Sequence, residues 1–114
     1  MKKITTQLLL TIVVSCLLFG NVAAQDQGGA SFLEEGVQQL YAEEYQEAID
    51  NFQKAKEENP DDGIVYYYLG YAYSFTDQLS KAEENLEKAK ELFDSQGNEE
   101  GIKAAEGILE TLEN

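Results

Sequence analysis

A chain of 114 residues with 22 acidic residues against eight lysines carries a formal charge of −14 and has room for one small domain. It contains no histidine and a single cysteine, so imidazole metal ligands and a disulfide framework are excluded. The acidic balance favours solubility, and it makes nucleic acid and anionic lipid surfaces poor partners, because a phosphate-binding surface needs clustered cations.

The N-terminus begins Met1-Lys2-Lys3, continues through an apolar run from Leu8 to Phe19 broken only by Thr11, Ser15 and Cys16, and ends Asn21-Val22-Ala23-Ala24-Gln25. A positive end, an apolar middle and small residues behind it predict an export signal over 1–24, cut after Ala24, and a periplasmic or secreted product. The run is short for a retained bilayer anchor. Val13-Val14-Ser15-Cys16 also resembles a bacterial lipobox, in which Cys16 would be lipidated and anchor the chain; against this, the apolar run continues through Leu17, Leu18 and Phe19. Cleavage after Ala24 removes the cysteine together with Lys2 and Lys3 and keeps every acidic residue, so the mature chain is still more acidic. Its roughly 90 residues lie near the low end for a self-sufficient core, which leaves a place for support from a partner or a second copy.

Residues 25–30 are polar and glycine-bearing and predict a flexible leader, with the folded part starting at Ser31. Beyond it the sequence repeats. Gly36 and Gly70, Ala48 and Ala82, Phe52 and Leu86, Lys54 and Lys88, and Ala55 and Ala89 are all related by one shift of 34 residues, the period of a helix-turn-helix unit. Small residues recurring at fixed places mark where two antiparallel helices approach closely, and Phe52, Leu86, Tyr66 and Tyr73 supply the filling volume. Ser31 with Glu34 and Ser80 with Glu83 have capping-box spacing, Pro60 stops a helix and Asp62 can cap the next. The expected helices are 31–43, 46–58, 63–76 and 80–95. A fifth, over 99–112, carries Ile102, Ala105, Leu109 and Leu112 on one stripe, and Gly101 and Gly107 weaken it intrinsically.

From Phe32 through Gly36, Tyr45, Ala48, Phe52 and Ala55 to Pro60, the first unit resembles a tetratricopeptide repeat. A second copy carries Tyr66, Leu69-Gly70, Tyr73, Ala82, Leu86 and Ala89. Glu35 stands where that family usually places a leucine and Gln39 where it usually places an aromatic, which suits an outermost, more polar first helix. The resemblance implies an all-α solenoid of two repeats, 31–62 and 63–96, closed by a capping helix over 97–114.

The resemblance further implies that the first helix of each unit lines a concave face that contacts a ligand. Those positions are Leu33, Val37, Leu40 and Tyr41 in the first unit and Tyr67, Tyr71, Ser74 and Phe75 in the second. Tyr67, Tyr71 and Phe75 recur every four residues and share one helix face. Some members hold a ligand carboxylate with lysine, arginine and asparagine in this groove; here Leu33, Val37, Tyr67 and Tyr71 occupy those places, and no such clamp exists. The expected partner is an apolar or aromatic segment of another polypeptide, with basic flanks drawn by the net charge. No cofactor, metal or catalytic residue is expected: the adjacent carboxylates, such as Glu34 and Glu35 or Glu83 and Glu84, fall in solvated stretches without the burial that acid catalysis needs. The competing expectation is a self-assembling structural protein that pairs through the ends of the stack, Ile108 and the first helix among them.

Overall fold

The chain alternates helices of 12 to 17 residues with turns of three or four. The structure, a computed structural model, describes residues 29–114. It contains α1 (Gly29–Tyr41), α2 (Tyr45–Glu58), α3 (Gly63–Ser74), α4 (Leu79–Ser95) and α5 (Glu99–Glu113), and no strand among the described residues. The expected export signal, its cut after Ala24 and the lipobox cysteine Cys16 lie outside the described residues. No described helix is long and apolar enough to cross a membrane.

All five expected helices are present, with no end displaced by more than two residues. The first begins at Gly29, so Gly29 and Ala30 of the expected leader are helical and Ser31 lies inside the helix instead of at its cap. The Ser80 capping box is corrected too: Gln78 is the N-cap of α4, with no side-chain cap bond, and Ser80 falls in the first turn. Two caps do form. The Asp62 carboxylate accepts from the Ile64 amide at 3.0 Å, and the Asn98 side-chain oxygen accepts from the Gly101 amide at 2.9 Å.

α1 and α3 stop earlier than periodicity suggests because the chain turns left-handed just beyond them, at Glu43 (φ 63°) and Asp77 (φ 57°). These positions are one repeat period apart, so the same backbone turn is used twice. Neither is a glycine, and each stores the Cβ strain of that conformation. The turn before α5 uses Gly97 at φ 69°.

Each helix packs mainly on its neighbours in sequence, α1 on α2, α3 on α4 and α4 on α5, with α2 against α3 joining the two units. Weaker contacts of α1 and of α5 with α3 place these three on one side of the stack. Phe52, Leu69, Leu86 and Val65 are fully buried at the centre, each burial contributing about 1.5–3 kcal/mol. The glycines set the spacing: a Cβ on Gly36 would come within 2.5 Å of the Phe52 ring, and one on Gly70 within 2.5 Å of Leu86 Cγ. Gly101, which the sequence marks as a weak point of α5, sits where a Cβ would lie 2.7 Å from the Phe93 ring; Gly107 has open space around it. The unusual Gln39 is accounted for by pairing, because the buried Asn51 donates Nδ2 to Gln39 Oε1 at 2.7 Å.

Candidate interaction face

α3 is apolar nearly all round: GIVYYYLGYAYS holds no charged residue. Val65, Leu69, Ala72 and Tyr73 take its buried sides. Ile64, Tyr67, Tyr71 and Phe75 follow at spacings of three and four and lie on the side left over, a line about three turns long, or some 16 Å. Ile64 is 45% exposed and Phe75 46%, while Tyr67 and Tyr71 are half-buried.

The rings along this line touch in sequence. Tyr67 and Tyr71 have centroids 6.3 Å apart, and Tyr71 meets Phe75 edge-on at 4.9 Å. Phe75 then stacks on Tyr45 of α2 at 4.8 Å with the planes only 7° apart, so the stripe crosses from the second unit to the first. Tyr68 turns the other way, edge-on to Tyr67 at 5.3 Å and stacked on the buried Phe52 at 5.6 Å, which ties the open face to the core. Contacts of this kind stabilise by about 0.5–1.5 kcal/mol beyond area and hold the rings rigid. Burial, with the phenols of Tyr68, Tyr71 and Tyr41 close by, pushes the Tyr67 hydroxyl above its ordinary value. Tyr41, 81% exposed, ends α1, which meets α3 on the same side of the stack.

Of the eight positions expected to line the ligand face, Tyr67, Tyr71 and Phe75 come together in one line of touching rings, and Tyr41 stands exposed at the end of α1 on the same side of the stack. Leu33 and Val37 on α1, like Tyr71, are half-buried and pack partly against the core. Leu40 is a correction: only 6% exposed, it belongs to the core and offers nothing to a ligand. Ser74 is half-buried and spends its hydroxyl on the Tyr71 carbonyl. Ile64 and Tyr45 were not expected. Ile64 stands three residues before Tyr67 on the same stripe, a signal readable in the sequence; Tyr45 joins only through the packing between units.

A second concavity of about 790 Å³ lies on the other side, between α2 and α4. Tyr66 and Tyr73 line it together with Lys56, Lys81, Lys88, Glu84, Glu87 and Glu91. Its polar groups largely satisfy one another: Gln53 donates to the Tyr73 hydroxyl at 2.7 Å, and Lys88 pairs with Glu91 at 3.2 Å. The adjacent carboxylates considered for acid catalysis are exposed, apart from Asp62, which is engaged as a helix cap.

The fold is of the tetratricopeptide type. A crystal structure of a tetratricopeptide repeat domain protein from Salinibacter ruber superposes with a TM-score of 0.69 at 18% identity, covering 76% of this chain and 97% of that one. No protein-family model matches the sequence, and no curated protein does.

Proposed function

We propose that this chain is a non-catalytic interaction module of the bacterial cell envelope, an exported scaffold or adaptor that holds a segment of another polypeptide across Tyr41, Tyr67, Tyr71 and Phe75, with Leu33, Val37 and Ile64 at the margins. One observation carries the proposal: on the side shared by α1 and α3 a line of touching rings, Tyr67, Tyr71 and Phe75, is only partly covered, flanked by the exposed Ile64 and Tyr41, with Tyr71 also resting on the core. Rigid amphipathic rings make good anchors because little side-chain entropy is lost when they are covered. The terminal signal supports export, and the four-spaced rings suit an extended or helical segment better than a small molecule.

A photo-crosslinking residue at Tyr41, compared with one at the exposed Glu84 on the opposite side, tests the proposal in the exporting cell. Expected is an adduct to a different polypeptide at position 41 and none at 84. Adducts between copies of this chain would instead support self-assembly through the ends of the stack, and equal labelling at both positions would refute a dedicated face.

A further inference from the structure

We infer that the segment held on this face is cationic, its lysine or arginine head groups lying over the rings of Tyr41, Tyr67, Tyr71 and Phe75. The inference rests on the proposed interaction role and adds the chemistry of the guest.

The charges are sorted by helix. All six lysines after the N-terminal pair lie on α2, α4 and α5, at positions 54, 56, 81, 88, 90 and 103. α3 has no charge, and α1 contributes only Glu34 and Glu35, followed by Glu43 and Glu44 in the turn. The open face therefore borders carboxylates and has no lysine on either helix that forms it.

The chain also shows what its rings do with an ammonium in reach. Lys54 sits 5.5 Å from the Phe32 centroid, Lys56 lies 5.9 Å from that of Tyr66, and Lys81 is 5.5 Å from that of Tyr73. Those three rings point to other sides of α1 and α3 than the stripe does. Lys88 pairs with Glu91, and Lys90 with Glu87 and Glu106, at 3.2 to 3.7 Å. Among the described residues no lysine covers Tyr41, Tyr67, Tyr71 or Phe75. The negative ring faces, the neighbouring phenol oxygens and the surplus of carboxylates all favour a cation, which completes there the pairing made elsewhere by the chain's own lysines. A carboxylate-bearing guest would meet no counter-charge.

The test uses three probe peptides of about twelve residues, alike in aromatic and proline content and differing only in four positions, filled with lysine, glutamine or glutamate. Binding to the purified protein is followed by calorimetry at low and physiological salt. Expected is the order lysine, glutamine, glutamate, with about tenfold or more between the first and last at low salt and a narrower gap at physiological salt. Tyr41→Leu, at a position too exposed to affect folding, is expected to weaken the lysine peptide about two- to fivefold while leaving the glutamine peptide unchanged. Tyr67→Leu with Tyr71→Leu should weaken the lysine peptide more than the glutamine peptide, with circular dichroism confirming that the helices persist. If the glutamine peptide binds as well as the lysine one, and both depend on Tyr67 and Tyr71, the face binds peptides but the cationic inference is wrong. If the lysine peptide binds these variants undiminished, the attraction is to the acidic surface at large and the inference is again wrong. If no probe binds, the interaction role falls with it.

Discussion

Gly70→Ala isolates the packing on which the stack depends. In an exposed helix the exchange stabilises by about 1 kcal/mol, because alanine loses less backbone freedom than glycine. At position 70 the new methyl would lie 2.5 Å from Leu86 Cγ and 3.0 Å from the Ala82 carbonyl oxygen, where ordinary contact begins near 3.4 Å. Leu86 is fully buried and the carbonyl belongs to the backbone of α4, so α3 and α4 must separate. Overpacking of this kind costs about 1–3 kcal/mol, and the backbone clash places the cost in the upper part of that range. After the propensity gain, a net loss of about 1–2 kcal/mol remains, roughly 5–15 °C in Tm for a domain of this size. Gly107→Ala is the matched control, since its Cβ would meet nothing within 4 Å, and it should stabilise by up to about 1 kcal/mol. Urea unfolding followed by far-ultraviolet circular dichroism measures both. A Gly70→Ala protein as stable as Gly107→Ala would refute close approach of the helices at this point.

Glu43→Gly and Asp77→Gly each relieve a left-handed residue and should stabilise by about 0.5–1 kcal/mol, whereas Gly97→Ala should destabilise by about 1–2 kcal/mol; thermal unfolding of the three variants checks the set. Asn98→Ala removes the cap on the Gly101 amide and should lower stability by about 1 kcal/mol, with fraying of α5 visible as faster amide exchange. Tyr67 should be a late tyrosine in an alkaline titration followed by tyrosinate absorbance. Because its folded pKa lies above the unfolded value near 10, its contribution to stability is complete below that pH and is lost as pH rises through the folded value; Tyr67→Phe should remove the late step and this loss.

The fold is legible in the sequence because a repeat forces the same spatial problem to be solved twice. Gly36 and Gly70 must both admit a large side chain from the following helix, Phe52 in one unit and Leu86 in the other, and the pairs recur at a fixed distance along the chain. Helix ends are less legible. Ser31 and Ser80 have capping-box spacing, yet the backbone enters each helix earlier, since an end is decided by the turn before it as well as by the available caps. The interaction face is legible on α3, where Tyr67, Tyr71 and Phe75 follow one stripe, and less so at the end of α1. Leu40 and Tyr41 are adjacent, about 100° apart around the helix, and periodicity alone does not decide which of two apolar neighbours turns inward. Packing against α2 sends Leu40 into the core and leaves Tyr41 open. The stacking of Phe75 on Tyr45 joins residues thirty positions apart through the contact between units, and no local pattern announces it.

Backbone and aromatic-ring NMR of the protein titrated with the lysine probe peptide maps where on the surface the guest lies. Saturable shift changes centred on Tyr41, Ile64, Tyr67, Tyr71 and Phe75, with the groove residues Lys56, Lys81 and Lys88 undisturbed, are the predicted result. Changes concentrated in the groove between α2 and α4, or spread over the acidic surface without saturation, would contradict it.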